Sequence, residues 1–145
     1  MTQATRDAGI DWEEAFANAD RIDGGQRFPD VWNARASAFR ARAAGELDIR
    51  YGPHERHAFD LFLPGGTPRG LAVIVHGGYW LSFDKSSWSD LAEGALAHGW
   101  AVAVPSYRLA PAARVFQITQ DVGNAIVAAA ARINGPIRLA GHSAG

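Results

Sequence analysis

The chain has 145 residues, of which 48% are hydrophobic and 20% are charged, and its formal net charge is −1. This composition is typical of one soluble globular domain, and the scattered charges exclude a basic face for nucleic acid. The absence of cysteine excludes disulfides and thiolate metal sites. The polar start lacks the profile of a signal peptide, and no apolar run reaches the roughly 20 residues that cross a bilayer. We therefore expect a cytoplasmic protein without a membrane or nucleic-acid partner.

The first predicted element is an amphipathic helix within residues 28–45. Asp30 is placed to cap this helix, an apolar stripe follows, and Gly45 ends it. The stripe consists of Trp32, Ala36, Phe39 and Ala43. We accordingly divide the chain into an N-terminal helical segment, residues 1–45, and a core, residues 46–145.

Two antiparallel strands are predicted next. The stretches LDIRY and FDLFL alternate apolar and polar residues with a period of two, and the turn-rich GPHERHA separates them. The pattern predicts a hairpin in which each strand leaves one face in water, with Asp60 on the polar face of the second strand.

The remaining chain alternates apolar strands with helices. LAVIV, AVAV and IRLA are short continuous apolar runs, as expected for strands buried on both faces of a parallel sheet. A capping-box spacing at Ser87 opens one helix, which closes near Gly99, and a second apolar stripe runs over residues 115–133. This order of elements predicts an α/β fold whose mixed sheet has crossover helices between its last three strands.

The stretch IRLAGHSAG places the pattern Gly-x-Ser-x-Gly directly after a predicted strand. At such a strand-to-helix turn the serine is held in a strained conformation, with its hydroxyl clear of the sheet, and the glycines give room to neighbouring backbone. The same letters are also compatible with a glycine-rich turn that carries no chemistry. Because a strand leads into the turn, we predict Ser143 as a catalytic nucleophile, which requires a base to take its proton.

A second pattern, VIVHGGYW, runs from a buried strand into two glycines. Such a loop can direct successive backbone N–H groups at the oxyanion of a tetrahedral intermediate. In hydrolases with the serine turn, one oxyanion donor comes from the residue after the nucleophile and the other from a loop after an earlier strand. The predicted oxyanion hole therefore consists of residues from both places: Gly77, Gly78, Tyr79 and Ala144.

Two side chains beside this loop have open roles. His76 is a candidate for supporting the loop by bonding to nearby backbone, and Trp80 either lines an acyl or aryl pocket or packs against the sheet.

Arg108 is expected to pair with a carboxylate near the end of the sheet. None of the five histidines is assigned as the base for Ser143. No group of side chains has metal-ligand spacing, so we predict neither a metal nor another cofactor.

Together these motifs resemble the N-terminal half of an α/β-hydrolase of the arylformamidase (kynurenine formamidase) and esterase group. HGGYW resembles the HGGxW oxyanion loop of that group, GHSAG its nucleophile elbow, and PSYRLAP a segment of hormone-sensitive-lipase-like esterases. The resemblance implies a sheet that begins in the order 1-2-4-3-5. It also implies a serine hydrolase of esters or aryl formamides, with N-formylkynurenine from tryptophan catabolism as the suggested substrate.

In this superfamily the acid and the histidine of the triad follow the serine along the chain. We therefore expect a half-fold truncated at the nucleophile elbow, which as 145 residues alone is inactive and either poorly soluble or partly unfolded. For the full-length protein a homodimer is the candidate assembly. Two alternatives stay open. One is a general carboxylesterase for short acyl groups, and the other is a non-catalytic fragment that lacks the acid and base.

Overall fold

The computed structural model describes residues 9–145. This part of the chain divides into two units, one that ends at Val31 and one that spans Trp32–Gly145. The first unit contains helix α1 (Trp12–Phe16), which begins after Asp11 because the Asp11 carboxylate accepts a hydrogen bond from the Glu14 amide at 3.1 Å. Two 3₁₀ turns follow α1.

Helix α2 (Phe28–Arg40) confirms the predicted amphipathic helix, with Ala36 and Phe39 buried. Its predicted ends are wrong. The helix begins before Asp30, which lies in the first turn instead of capping it, and it ends at Arg40. Gly45 starts the first strand, where a Cβ would lie 2.2 Å from the Leu61 carbonyl oxygen, so the glycine serves strand pairing and not helix termination.

Five strands form one mixed sheet in the order β1-β2-β4-β3-β5, which confirms the predicted fold. The first two strands form the expected antiparallel hairpin, β2 is antiparallel to β4, and β3 is parallel to both β4 and β5. The strands are β1 (Gly45–Arg50), β2 (Ala58–Phe62), β3 (Leu71–Val75), β4 (Ala101–Pro105) and β5 (Ile137–Gly141). Val75 pairs with Gly141, so the loops that follow β3 and β5 leave the sheet side by side.

Crossover helices connect the parallel strands. Helix α3 (Ala92–Ala97) follows two 3₁₀ turns, Lys85–Ser87 and Ser89–Leu91, and helix α4 (Val115–Ala130) precedes β5. The predicted capping box at Ser87 is wrong, because Trp88 leaves helical geometry with a φ of −129° and delays the α-helix until Ala92. None of the helices in residues 9–145 is long and apolar enough to span a membrane.

Buried apolar side chains cover both faces of the central strands. One cluster involves β2, β3, β4 and α4, and the other involves α2, β2, α3 and β4. Two burial predictions are wrong. Every residue of β2 is buried, including Asp60, because both core clusters pack on this strand: Phe59 and Leu61 belong to one and Phe62 to the other. Every residue of β5 is exposed, because among the described residues β5 pairs only with β3 and contributes to neither cluster.

Candidate active site

A strained turn holds the candidate nucleophile at the carboxyl end of β5. Ser143 has a φ of +56°, in the left-handed region that costs a non-glycine residue about 1–3 kcal/mol. The His142 amide donates to the Val75 carbonyl at 3.0 Å, and the Gly145 amide donates to the His142 carbonyl at 3.0 Å. These bonds close the turn and leave Ser143 exposed.

The glycines on either side of Ser143 are needed for close backbone approach. A Cβ on Gly141 would lie 2.4 Å from the Gly145 carbonyl oxygen, and a Cβ on Gly145 would lie 2.2 Å from the Val75 carbonyl oxygen. Both distances are far inside ordinary contact. The two glycines of the motif therefore allow the turn to fold tightly against the end of β3.

The loop after β3 contacts this turn directly. A Cβ on Gly77 would lie 2.6 Å from the His142 carbonyl oxygen, 2.8 Å from the Ser143 Cβ and 3.3 Å from the Ala144 nitrogen. The two motifs are separated by more than sixty positions in the sequence, and the parallel pairing of β3 with β5 brings them together. The site thus contains the predicted nucleophile beside two of the predicted oxyanion residues.

Consecutive left-handed residues shape the same loop. Gly78, Tyr79 and Trp80 have φ values of +114°, +52° and +59°. The amides of Leu81 and Ser82 both donate to the Gly78 carbonyl, at 2.9 Å and 3.1 Å. This geometry turns the chain sharply just after the point where it touches Ser143.

Replacing Gly77 with alanine is expected to lower kcat/KM of the full-length protein by about 10²-fold, because the added Cβ would push the loop away from Ser143. The matched control is Gly94→Ala, since a Cβ on that helical glycine meets nothing within 4 Å. Steady-state rates on an aryl ester, with thermal unfolding of both variants, provide the comparison. Equal kcat/KM values for the two folded variants would contradict the assigned contact.

His76 has the contacts of a loop support. It is fully buried, its Nδ1 lies 2.7 Å from the Gly77 carbonyl oxygen, and its ring stacks on Tyr107 at 4.3 Å. The Tyr107 hydroxyl donates to the His76 carbonyl at 2.5 Å. Burial lowers the pKa of His76 to about 4, so the ring is neutral near pH 7.

Trp80 has contacts that fit both of its open roles. It is partly buried against the core cluster around β3 and α4, and its carbonyl accepts from the Ala110 amide at 2.8 Å. It also lines an open, mainly apolar cavity of about 200 Å³ that reaches Ala144. The choice between substrate pocket and packing residue therefore stays a prediction.

The sequence predicted only half of a buried ion cluster that involves α4. Arg108 pairs with a carboxylate as expected: its Nε and Nη2 donate to the two oxygens of Asp121 at 2.8 Å and 2.7 Å. His57 Nε2 lies 3.2 Å from the same carboxylate. Burial raises the pKa of Asp121, but the hydrogen bonds from Arg108 and the nearby His57 ring outweigh it and leave this pKa below its usual value. The one sequence signal for Asp121 was its position on the apolar stripe of α4.

A second buried ion pair fixes the segment that follows the predicted oxyanion loop. Lys85 Nζ lies 2.7 Å from an oxygen of Asp60 and 2.7 Å from an oxygen of Asp48. Burial lowers the pKa of Lys85, yet the hydrogen bonds to both carboxylates more than compensate and raise this pKa above its usual value. The sequence prediction missed this pair because it assigned Asp60 to a solvated face.

The described histidines have partners other than the Ser143 hydroxyl. His57 pairs with Asp121, His76 contacts Tyr107, and the His142 ring packs at 4.7 Å from the ring of Trp88. His54 accepts from the Arg56 amide, and His98 is the C-terminal cap residue of α3 through its backbone amide. We assign none of them as the base. Within residues 9–145, no three His, Asp or Glu side chains converge as metal ligands.

Comparisons with known proteins match this architecture. The family model BD-FAE matches residues 59–145. Kynurenine formamidase of Salmo salar is 28% identical over 113 residues, which are 73% of this chain and 38% of that protein. A crystal structure from Silicibacter sp. TM1040, provisionally described as a thioesterase, is 54% identical with a TM-score of 0.87. That match covers 92% of this chain and 52% of the other.

A more distant structure shares the fold. Esterase B of Lactobacillus rhamnosis is 20% identical, with a TM-score of 0.62 over 80% of this chain and 43% of that one. The chain spans about half the length, or less, of these relatives. The residues that the family model matches include β3, β4, β5 and the two loops that meet at Ser143.

Proposed function

Because the chain belongs to the BD-FAE family of α/β-hydrolases, we propose that the protein is a serine hydrolase of ester or aryl-formamide bonds with Ser143 as its nucleophile. The sequence match to a kynurenine formamidase and the fold shared with the structure of an esterase confirm the resemblance to the esterase and arylformamidase group. One observation carries the assignment of Ser143: an exposed serine in a left-handed turn lies against the glycine loop that follows β3.

In the proposed reaction, the Ser143 oxygen attacks the carbonyl carbon of the substrate and gives up its proton to a base. The backbone N–H groups of Gly78, Tyr79 and Ala144 stabilise the resulting oxyanion. Collapse of the intermediate expels the alcohol or amine, which leaves with a proton, and an acyl- or formyl-serine remains. Water then attacks this intermediate, releases the acid and restores the serine.

The Gly77 contact makes this assignment of donors physically reasonable. An oxyanion donor acts only if it is held about 3 Å from the developing charge, without reorganisation during the reaction. A glycine at 77 allows the loop to approach the Ser143 turn to within backbone contact. His76 and Tyr107 support the loop from the buried side, through the Gly77 and His76 carbonyls.

The substrate class is proposed from the relatives. A formamidase among them supports N-formylkynurenine, which would place the reaction in tryptophan catabolism. The provisionally described thioesterase at 54% identity supports hydrolysis of thioesters as well, and a general carboxylesterase for short acyl groups is the alternative. In both cases the same serine and the same oxyanion donors carry the chemistry, and only the pocket differs.

A substrate comparison in the natural full-length protein tests this proposal. We expect a higher kcat/KM for N-formylkynurenine than for p-nitrophenyl acetate or an aryl thioacetate, with all three rates lost in Ser143→Ala. A higher value for the acetate ester would replace the formamidase assignment with a general carboxylesterase. Absence of Ser143-dependent turnover of all three substrates would overturn the hydrolase proposal.

A further inference from the structure

One guanidinium group connects the two ends of the oxyanion loop. Arg56 stands in the turn between β1 and β2, and its Nε donates to the Tyr107 carbonyl at 2.7 Å. Its Nη2 donates to the Phe83 carbonyl at 2.5 Å, at the far end of the loop. Tyr107 in turn holds the near end, through the bond from its hydroxyl to the His76 carbonyl. Arg56 and Tyr107 thus connect residues 76 and 83 across the base of the loop.

The loop between these ends cannot hold its shape by local preference. Tyr79, Trp80 and Phe83 all have left-handed φ values, which bulky residues rarely adopt. Strained conformations of this kind persist only where the surrounding structure imposes them. Phe83 is one of these strained residues, and Arg56 binds its carbonyl, so the guanidinium restrains a strained part of the backbone directly.

Arginine is well suited to this task. Its planar guanidinium presents several donors in a fixed geometry, so one side chain can bind two carbonyl oxygens at once. Hydrogen bonds from a charged donor are also stronger than neutral ones. A lysine at the same position has a single donor group on a flexible stem, and cannot reproduce both bonds in this geometry.

We propose that Arg56 is a positioning residue that holds the oxyanion loop against the Ser143 turn. Arg56 acts through Phe83 and Tyr107 and contacts neither the substrate nor the reacting atoms. The inference deepens the proposed function and rests on it for its catalytic consequence. Its structural consequence, a loop restrained by Arg56, is measurable without any substrate.

The catalytic test compares three variants of the full-length protein. We expect Arg56→Ala to lower kcat by about 10²-fold with little change in KM. The reason is that displacing an oxyanion donor weakens its bond to the transition state, whereas binding of the substrate hardly depends on that bond. Arg56→Lys should recover part of this loss, and added guanidinium ion should restore part of the activity of Arg56→Ala. The matched control is Arg69→Ala, which removes an arginine just before β3, at the amino end of the parallel strands, where it contacts the His98 carbonyl.

Hydrogen–deuterium exchange gives the second readout. The Leu81 and Ser82 amides, which donate to the Gly78 carbonyl, should exchange faster in Arg56→Ala than in Arg69→Ala, while the amides of β3 and β4 remain equally protected.

If Arg56→Ala does not fold, the same comparison is made with Arg56→Lys. Unchanged loop exchange, or a kcat equal to that of Arg69→Ala in an active protein, overturns the inference. If the wild type has no Ser143-dependent activity, the proposed function fails and exchange alone decides the role of Arg56.

Discussion

Replacing Ser143 with alanine is expected to lower kcat for ester or formamide hydrolysis by about 10⁶-fold, the size of effect that follows from removing a catalytic serine nucleophile. The remaining rate would come from substrate binding and from the oxyanion donors, which the substitution leaves in place. The turn should persist, because its backbone bonds from His142 to Val75 and from Gly145 to His142 do not involve the serine side chain.

The control for this substitution is Ser37→Ala. Ser37 is exposed on helix α2, far along the chain from both site loops, and should leave kcat unchanged. Initial rates with purified full-length variants, matched for folded fraction by circular dichroism, make the comparison. Retention of most of the wild-type rate in Ser143→Ala would show that another group attacks the substrate.

The second large effect is expected on stability. Asp121→Asn should lower the free energy of unfolding by about 3 kcal/mol, because it breaks an ion pair whose carboxylate is 2% exposed and leaves Arg108 and His57 without their anion. We place the loss at the low end for buried pairs because the Arg108 side chain keeps 26% of its surface in water. Chemical denaturation near pH 7 measures the difference.

The matched control removes a surface carboxylate. Glu93 pairs with Arg42 at 2.8 Å, and more than half of each side chain is exposed. Glu93→Gln should therefore cost less than about 1 kcal/mol. Equal losses in the two variants would contradict a stabilising role for the buried cluster.

The same carboxylate determines a pH dependence. The pKa of Asp121 in the folded protein lies below the ordinary aspartate value of 3.8. The unfolded chain therefore binds the proton more readily, so the stabilisation is complete above about pH 4 and is lost as the pH falls through the folded-state pKa. Wild type and Asp121→Asn should accordingly converge in stability below that range. A difference that stays constant down to the acid transition would contradict ionisation as its source.

Local sequence patterns were sufficient for the strands and for both site loops. Gly-x-Ser-x-Gly after an apolar run encodes the turn at Ser143, because glycines are required wherever the backbone must approach this closely. The pattern of two glycines after β3 similarly located the loop that contacts Ser143. Both signals depend on residues that are neighbours in the chain, so a single sequence contains them.

The ionic contacts could not be derived in the same way. Asp60 alternates with apolar neighbours as a solvated residue would, and only the folded chain brings Lys85 to it. Asp121 and His57 likewise meet through tertiary packing, and they are separated by more than sixty positions in the sequence. The exposure of β5 depends on which strands and helices flank it in space, and its apolar composition does not report that.

The central claim is that Ser143 is the nucleophile of a hydrolase, and covalent labelling tests it most directly. The full-length protein is incubated with a p-nitrophenyl alkylphosphonate, and the modified residue is located by peptide mass spectrometry. We predict one phosphonate per chain on Ser143, released p-nitrophenolate in equal amount, parallel loss of activity, and no labelling of Ser143→Ala. A phosphonate on a different residue, or an active protein that never becomes labelled at Ser143, would contradict the account.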